Sequence, residues 1–327
     1  MPKFLILRFS SIGDIVLTTP VIRCLKQQVK NAEVHYALKR NFSEVLEHHP
    51  YIDKKYFLEN DLSSLIPVLK KEEYDYVIDL HHNLRTWQIK QRLGVKSFSF
   101  NKLNFEKWLL VNFKINRLPS MSIVDRYMKT IESLGVKNDG LGLDYFISIE
   151  DENVLQTLPE IFRNGYIAFV IGAKHYTKQL PAEKIISLCK KISSPVILLG
   201  GKEDFEKGKL ICESAANCYN AAGKFSLGQS AAIIKHSKKV ITHDTGLMHI
   251  AAAFKKEIIS VWGNTVPEFG MAPYYGNAEI RSSKFEVQSL KCRPCTKIGH
   301  RKCPKGHFNC MMLQDENEIA VLANKEN

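Results

Sequence analysis

Short apolar runs alternate with amphipathic stretches along the first half of the chain. Residues 4–7, 34–38 and 76–80 are compact apolar runs that predict buried strands. Residues 20–29 and 124–134 carry apolar side chains at helical spacing, and a glycine ends the second of these stretches. Strands that alternate with helices indicate a parallel sheet built from crossover connections.

An irregular stretch at residues 139–163 interrupts this alternation. It contains two glycines, an acidic run and a proline, so we place the junction there and predict domains at 1–155 and 156–327. The alternation then restarts, with predicted strands at 166–171, 196–199, 239–242 and 258–262 and helices at 182–192, 227–236 and 248–254. The sequence therefore predicts an α/β protein whose ligand sites lie at the carboxyl edges of two parallel sheets.

The first predicted strand is followed by a loop with one glycine and one carboxylate, and then by a helix. In this segment, residues 8–20, Gly13 can take backbone conformations that other residues avoid, and Asp14 follows it at the carboxyl edge of the sheet. Asp14 is therefore either a cap for the following helix or a carboxylate that faces a ligand cleft. A dinucleotide fingerprint is excluded because its second and third glycines are missing.

A second strand–loop–helix motif spans residues 242–253. Asp244, Thr245 and Gly246 precede an alanine-rich helix, and His249 lies about one turn inside it. The N–H groups and positive end of a helix N-terminus suit a phosphate, so the motif favours a diphosphate site. The alternative is a capped helix whose histidine is satisfied within the protein.

A third strand end, at residues 172–181, carries two lysines and leads into a helix that starts at Pro181. Lys174 or Lys178 could neutralise a leaving diphosphate. The alternative for each of them is a solvated loop lysine.

Half of the eight cysteines cluster near the C-terminus, at Cys292, Cys295, Cys303 and Cys310. A C-x2-C pair followed by two further cysteines resembles a zinc or iron–sulfur ligand set. Three interpretations stay open for this cluster: a bound metal, reduced or redox-active thiols, and a structural disulfide pair.

The composition narrows the class of protein. A length of 327 residues favours two domains, and the net charge of +12 is spread along the chain without a basic arm. The charge indicates an anionic partner, such as nucleic acid, anionic lipid or a phosphorylated sugar, or else a solvated basic surface. No segment matches a secretory signal or a membrane span, so we expect a cytoplasmic protein without a disulfide scaffold.

Together these motifs resemble those of the heptosyltransferases of lipopolysaccharide core synthesis, glycosyltransferase family 9. The resemblance rests on residues 11–20, 178–181 and 244–253 in that order, with 79–81 and 125–127 as further family-like segments. The family implies the GT-B architecture, an α/β fold in which two Rossmann-like domains with parallel sheets face each other across a central cleft. The donor nucleotide would bind the C-terminal domain and the acceptor mainly the N-terminal one.

The same resemblance assigns roles to individual residues. Asp14 is expected to be the general base, and Lys178 is expected to hold the donor phosphates. The residues expected to line the donor diphosphate and sugar are Asp244, Thr245, Gly246 and His249. The donor ribose is expected at Glu203, or at Asp204 in its place. The residues expected on the acceptor side are Ser11, Gly13, Arg85 and Arg126.

The activity implied by the resemblance is inverting, metal-independent transfer of a sugar from a nucleotide sugar. ADP-heptose is the favoured donor, and an anionic lipid-linked glycan of the lipopolysaccharide core is the expected acceptor. Such an acceptor implies peripheral contact with the cytoplasmic face of the inner membrane and no nucleic-acid partner. Transfer itself would need no cofactor, and structural zinc or iron–sulfur at the cysteine cluster remains an open expectation.

Two features depart from the family pattern, and two other functions stay open. Residues 173–177 before the phosphate lysine, and His243 before Asp244, leave the donor sugar undecided. The first alternative is another nucleotide-sugar enzyme of the GT-B class, such as an epimerase. The second is a metal-containing nucleic-acid-binding protein, which the basic charge and the C-x2-C pair would favour.

Overall fold

The computed structural model describes residues 1–280 and 282–325, and these form two compact units. The first unit contains Met1–Lys102, Met121–Phe146 and Tyr274–Ala278. The second contains Leu103–Ser120, Ile147–Pro273 and the described residues from 279 onward. The predicted boundary near residue 155 treats each domain as one continuous segment, whereas the chain leaves the first unit and returns to it twice.

The first unit is built on a five-stranded sheet. Its strands are β1 (Lys3–Leu7), β2 (Glu33–Lys39), β3 (Lys54–Leu58), β4 (Tyr76–Asp79) and β5 (Lys96–Ser99). The order across the sheet is β3-β2-β1-β4-β5, and every neighbouring pair is parallel. The strand order reverses between β1 and β4, and in sheets of this kind ligands bind outside the carboxyl ends at such a point.

The second unit is built on a six-stranded sheet. Its strands are β6 (Ile167–Val170), β7 (Val196–Leu199), β8 (Cys218–Asn220), β9 (Lys239–His243), β10 (Ile258–Trp262) and β11 (Ser282–Glu286). The order is β11-β10-β9-β6-β7-β8, again with every neighbouring pair parallel. Here the order reverses between β9 and β6, which places the loops after these two strands at the equivalent point.

Helices connect the strands in both units. The α-helices are α1 (Ile12–Val16), α2 (Thr19–Gln28), α3 (Leu65–Lys70), α4 (Leu84–Leu93), α5 (Asn104–Phe113), α6 (Ile123–Met128), α7 (Ile149–Glu152), α8 (Ala182–Lys191), α9 (Phe205–Ser214), α10 (Leu227–His236), α11 (Gly246–Ala253), α12 (Asn309–Met312) and α13 (Glu316–Asn324). Short 3-10 helices lie at Arg40–Leu46, Glu132–Leu134, Asn153–Thr157, Glu160–Phe162, Tyr176–Lys178, Lys202–Asp204 and Pro267–Phe269.

The central strands explain the apolar runs of the sequence. Every residue of β6, β9 and β10 is buried, because helices cover both faces of the sheet. Edge strands differ: β5 and β11 are mostly exposed or half-buried, so they carry polar residues such as Lys and Ser. An uninterrupted apolar run therefore marks a central strand of these sheets and fails to mark an edge strand.

A buried arginine fixes helix α2 to residues 139–144 of the first unit. The Arg23 guanidinium, 3% exposed, pairs with the Asp139 carboxylate at 2.7 Å and also contacts Asp144. It donates a further hydrogen bond to the Gly142 carbonyl at 2.8 Å. The guanidinium holds the pKa of Asp139 at about 2, although partial burial alone would raise it. This pairing ties α2 to residues 139–144.

The predicted elements are largely confirmed. Each of the predicted strands exists, and the helices predicted at 20–29, 182–192, 227–236 and 248–254 correspond to α2, α8, α10 and α11. The helix predicted at 124–134 is shorter: it ends as α6 at Met128, and a separate 3-10 turn precedes Gly135. The sequence analysis did not predict the edge strands β3, β5, β8 and β11, nor α5.

No helix within residues 1–280 and 282–325 combines the length and the hydrophobicity that a crossing of the membrane requires.

Candidate active site

A lysine, a carboxylate and a hydroxyl meet at the carboxyl edge of the second sheet. Lys178 Nζ lies 2.5 Å from Asp244 Oδ2, and both side chains are largely buried, at 15% and 11% exposed. The Thr265 hydroxyl donates to the same carboxylate oxygen at 3.0 Å. These residues follow β6, β9 and β10, which are adjacent parallel strands, so their loops emerge side by side. The structure thus brings the predicted Lys178 and Asp244 together and adds Thr265.

The N-terminus of α11 lies directly after Asp244. Thr245 precedes the helix in extended conformation, and Gly246 is its first residue. Among the described residues, the Thr245 hydroxyl does not cap the helix but lies 3.4 Å from the Thr242 hydroxyl. His249, one turn inside, is buried. Lys178 Nζ also lies 3.4 Å from the Asp244 carbonyl oxygen, two residues before the start of α11, and a cation near a helix N-terminus suits an anion.

The lysine predicted as an alternative to Lys178 has a different environment. Lys174 is exposed in the loop after β6, whereas Lys178 sits in the 3-10 turn Tyr176–Lys178 and is half-buried. The chain therefore separates a solvated lysine from one that is held by a carboxylate.

The two candidates for a ribose contact are neighbours with opposite environments. Glu203 is exposed in the 3-10 turn that follows β7. Asp204 is 5% exposed and accepts a hydrogen bond from the Gly201 N–H at 2.9 Å. Burial raises the pKa of Asp204, and its carboxylate is so close to Gly172 that a Cβ there would lie 1.9 Å from Oδ2. Asp204 thus belongs to the packing between β6 and β7, and Glu203 is the one that solvent reaches.

Asn264, in the loop after β10, was missed by the sequence analysis. Its side chain is 1% exposed, yet neither amide atom has a hydrogen-bond partner among the described residues. A buried amide without a partner costs about 1–3 kcal/mol, so native proteins rarely keep one without a reason. Asn264 is next to Thr265, which contacts the Asp244 carboxylate. A polar ligand at this edge of the sheet would supply the missing partners.

A second buried arginine holds the loop that carries Asn264. The Arg293 guanidinium donates to the Gly263 carbonyl and, at 2.9 Å, to the Thr265 carbonyl. It also pairs with Glu286 of β11 at 2.7 Å. The backbone N–H of Cys295 donates to the Asn264 carbonyl at 3.1 Å. The loop after β10 is therefore fixed from outside by the segment that carries the first two clustered cysteines.

The same segment also holds the loop of Lys178. The His300 N–H donates to the Thr177 hydroxyl at 2.8 Å, and the Thr177 N–H donates to the His300 carbonyl at 3.2 Å. A Cβ on Gly263 would lie 2.7 Å from the Thr177 carbonyl oxygen, so the loops after β6 and β10 approach each other closely only because residue 263 is glycine.

His243, which departs from the family pattern, has a structural role. It is fully buried in β9, and its Nε2 accepts a hydrogen bond from the Leu180 N–H at 2.9 Å. Burial lowers its pKa to about 3, so the ring is neutral at ordinary pH. His243 anchors the start of α8 to β9 and lies behind Asp244 in the chain.

In the first unit, Asp14 belongs to an ion-paired network at the end of β1. Arg8 Nη2 lies 2.7 Å from Asp14 Oδ1, and the Ser11 hydroxyl donates to Oδ2 at 2.9 Å. Ser11, and not Asp14, is the N-cap of α1; Asp14 is the third residue of the helix, and its carboxylate accepts a hydrogen bond from the Ser11 N–H at 3.3 Å. The Asp14 side chain nevertheless remains 24% exposed.

Arg8, which the sequence analysis treated only as part of the motif, joins one loop and two helices. It is 8% exposed and donates to the Leu80 carbonyl at 2.7 Å and to the Tyr127 hydroxyl at 3.1 Å. These contacts tie the loop after β4 and helix α6 to the Asp14 carboxylate. The signal for this role was an arginine at the end of an apolar strand.

The other residues predicted on the acceptor side differ in backbone conformation and in burial. Gly13 has ordinary helical backbone inside α1, so the unusual conformation expected of it is not found. Arg85 is exposed in the first turn of α4. Arg126 is buried in α6, and burial lowers the pKa of its guanidinium.

The four clustered cysteines carry free thiols in one neighbourhood. Cys310 lies in the core of the second unit, while Cys292, Cys295 and Cys303 are half-buried. Burial, reinforced by the nearby thiols, raises the pKa of Cys295 to about 11 and that of Cys310 to about 12. Cys292 Sγ lies 3.8 Å from His307 Nε2.

The cysteine sulfurs are not assembled as a tight ligand set. Among the described residues, the group that brings three potential ligand atoms within 4.8 Å of one another is Glu33, His35 and Glu72 in the first unit. There Lys3 Nζ lies 3.2 Å from Glu72 Oε2. Lys54 Nζ also lies 3.2 Å from Glu72 Oε1, so two ammonium groups balance the two carboxylates and the group serves as an ion-pair network.

Comparisons with known proteins agree with this geometry. Residues 62–301 match the model of glycosyltransferase family 9 (heptosyltransferase). The chain is 27% identical over 301 residues to lipopolysaccharide heptosyltransferase 1 of Campylobacter coli, with 84% of this chain and 86% of that protein covered.

Two solved structures are similar to nearly the whole chain. The glycosyltransferase family 9 protein of Veillonella parvula DSM 2008 has a TM-score of 0.75 at 24% identity, covering 98% of this chain and 96% of that one. An Escherichia coli heptosyltransferase with ADP has a TM-score of 0.67 at 19% identity, covering 98% of both chains. These likenesses confirm the predicted α/β fold of the GT-B class, with two parallel sheets.

The unpartnered amide of Asn264 predicts an unusual response to mutation. Asn264→Leu keeps the shape of the side chain and removes a desolvated amide, so the free energy of unfolding should be unchanged or rise by about 1 kcal/mol. Urea unfolding of the purified variant measures this.

Asn220 provides the matched control. It is also buried, but its amide donates to the Phe205 carbonyl at 3.0 Å and accepts from the Ala222 N–H at 3.1 Å. Asn220→Leu should therefore lose about 2 kcal/mol or more. An equal loss in both variants would show that Asn264 is satisfied in the free protein.

Proposed function

The chain belongs to glycosyltransferase family 9, the heptosyltransferase family, and from this premise we propose that it transfers a heptose from ADP-heptose to the lipopolysaccharide core or a related lipid-linked glycan. We further propose that transfer inverts the anomeric centre and needs no metal ion. The observation that carries the proposal is the Lys178–Asp244–Thr265 group beside the N-terminus of α11.

This group supports binding of the donor diphosphate. The leaving nucleoside diphosphate gains negative charge as the bond to the anomeric carbon breaks, and without a metal that charge must be met by protein groups. The Lys178 ammonium and the first-turn N–H groups of α11 are suited to this task. Thr245 and Gly246 would allow close approach of the phosphates, and Asp244 and His249 would line the sugar.

The order of strands supports the position of the nucleoside. Glu203 follows β7, which is two strands from β9, and adjacent strands lie about 4.8 Å apart. A nucleoside diphosphate whose phosphates lie at Thr245 and Gly246 can therefore extend along the sheet edge toward Glu203, which would accept hydrogen bonds from the ribose. The Escherichia coli heptosyltransferase whose structure was solved with ADP supports adenosine as the nucleoside.

Asp14 is proposed as the general base. An acceptor hydroxyl is a weak nucleophile until its proton is removed, and the carboxylate would take that proton as the oxygen attacks the anomeric carbon. Attack on the face opposite the diphosphate breaks the bond to the leaving group and inverts the centre. The contacts of Arg8 and Ser11 with Asp14 orient the carboxylate, and the side chain is 24% exposed.

The acceptor is proposed to be anionic and lipid-linked, in agreement with the name of the Campylobacter coli relative. Ser11, Gly13, Arg85 and Arg126 are proposed to lie on its path. The exposed guanidinium of Arg85 is suited to phosphate or carboxylate groups of such a glycan. Because the acceptor would be held in a membrane, peripheral contact with the inner membrane is part of the proposal.

The first prediction from the proposed function compares two lysines of one loop. Lys178→Ala should lower kcat/KM for ADP-heptose about a hundredfold, which is roughly 3 kcal/mol of transition-state stabilisation. Lys174→Ala removes an exposed charge from the same loop and should leave kcat/KM within about twofold. Release of ADP in the presence of a lipopolysaccharide acceptor is the measurement. Equal effects of both substitutions would contradict the assignment of Lys178 to the donor site. Conversion of the nucleotide sugar in the absence of any acceptor would favour an epimerase.

The second prediction concerns the base. Asp14→Asn keeps the shape of the side chain but removes the proton acceptor, so kcat should fall about 10²- to 10⁴-fold. The affinity for ADP, measured as the thermal stabilisation that ADP causes, should not change, because the nucleotide is proposed to bind the second unit. Retained transfer with Asn at this position would rule out Asp14 as the general base.

A structural metal at the clustered cysteines is a further proposal. Their donor chemistry suits zinc or an iron centre, and the four thiols of Cys292, Cys295, Cys303 and Cys310 share one neighbourhood. The sulfurs would have to move closer to form such a site. A bound metal would hold together the segment from which Arg293 and His300 reach the donor loops, and transfer itself would not pass through it.

This proposal predicts a measurable stoichiometry. Protein purified under reducing conditions should carry about one equivalent of metal at the four thiolates, and Cys303→Ser should lose it, since the other half-buried thiols would keep an incomplete set. Cys24→Ser, in a buried helical position, serves as the control. Metal-free protein with full thermal stability would contradict the site.

A further inference from the structure

Four large apolar side chains are exposed together on and just after helix α5. Phe105, Trp108, Phe113 and Ile115 are 62%, 46%, 58% and 47% exposed. The Phe105 and Trp108 rings stack with centroids 6.1 Å apart, and the Trp108 and Phe113 rings meet edge to face at 5.2 Å. These four residues are called the apolar face below. Side chains exposed singly need no explanation, whereas a contiguous apolar surface marks an interaction site.

The opposite side of α5 is fixed in the second unit. Leu110, 8% exposed, packs with Val266 and Phe269, and Val111 and Leu118 lie against this small core. The Lys114 ammonium donates to the Pro294 carbonyl at 2.8 Å. The helix is therefore anchored by its inner side, and the exposure of the apolar face is not the result of a detached segment.

The charge around the apolar face is positive. Residues 103–120 contain three basic side chains, Lys107, Lys114 and Arg117, and one acidic side chain, Glu106, for a net charge of +2. Lys114 and Arg117 are exposed. Aromatic rings flanked by basic side chains are the composition of helices that lie in the headgroup region of anionic bilayers.

We propose that the apolar face is a docking surface for a membrane that carries anionic headgroups. The aromatic rings enter the boundary between headgroups and acyl chains, and the lysine and arginine side chains meet the negative charge of the headgroups. Two observations select this occupant over a protein partner: the net charge of +2 in residues 103–120, and the aromatic identity of three of the four side chains. The inference rests on the proposed function in one respect, since a lipid-linked acceptor lies at such a surface.

Vesicle binding tests the proposal without any sugar transfer. The full chain is sedimented with phosphatidylcholine vesicles that contain or lack phosphatidylglycerol. Binding should require phosphatidylglycerol and weaken with added salt, because screening reduces the attraction between surface charges and headgroups. A triple variant, Phe105→Ser, Trp108→Ser and Phe113→Ser, should bind at least tenfold more weakly.

A matched control separates this surface from general hydrophobicity. Ile149, Ile161 and Val321 are also exposed apolar residues of the second unit, at 79%, 59% and 66%, but lie outside the apolar face. Their triple replacement by Ser should leave vesicle binding unchanged. Thermal unfolding and ADP-induced stabilisation of both triple variants verify that each is folded.

Trp108 offers a direct readout in the folded protein. Trp87 is exposed at 52% and Trp262 is buried, so Trp87→Phe leaves Trp108 as the exposed emitter. Anionic vesicles should shift its emission to the blue, and brominated lipids should quench it. This measurement does not depend on a variant of the apolar face that might fold poorly.

Several results would overturn the proposal. They are equal binding of the apolar-face variant and the wild type, equal binding to neutral and anionic vesicles, and unchanged Trp108 emission. Self-association that is lost in the apolar-face variant, without vesicle binding, would assign the surface to a second copy of the chain. Vesicle binding by a protein that fails to transfer heptose would leave this inference standing and remove the proposed function alone.

Discussion

The direction of the strands is the constraint on which the candidate sites depend. In each unit every neighbouring pair of strands is parallel, so the loops at their carboxyl ends leave the same edge of the sheet. Lys178, Asp244 and Thr265 are up to 87 positions apart in the chain (265 − 178) but follow neighbouring strands. One geometric rule therefore gathers them, whereas antiparallel strands would send alternate loops to opposite edges.

Strand direction alone does not fix the loops, and buried arginines complete the arrangement. Arg8 holds the Asp14 carboxylate while it binds the Leu80 carbonyl and the Tyr127 hydroxyl. Arg293 holds the backbone beside Thr265 in the same manner. A guanidinium offers five N–H groups in a rigid fork, so a single side chain can bridge several loop carbonyls and a carboxylate. Part of the positive charge of the chain is thus paired with groups inside the protein.

The sequence predicted what depends on local pattern and missed what depends on distant contacts. Apolar runs revealed the central strands, and the Asp244–His249 segment revealed a helix start at a strand end. Edge strands such as β5 were not predicted, because an exposed strand can carry polar residues and then shows no apolar run. The sequence did not predict the roles of Asn264 and Arg293, because these roles depend on contacts between the loop after β10 and a segment some 30 residues later. No spacing rule contains that contact.

The segment with the cysteines, residues 292–303, connects the two loops of the candidate donor site. His300 holds the Thr177 backbone, Arg293 holds the Thr265 backbone, and Gly263 lets the two loops touch. A change in residues 292–303 must therefore move both loops that meet the Asp244 carboxylate, or break several buried hydrogen bonds. Breaking such bonds costs more than a small shift of a loop, so displacement of the loops is the softer response. The geometry of the candidate donor site is thus set by residues that do not line it, which is why the cysteine segment belongs to any physical account of this site.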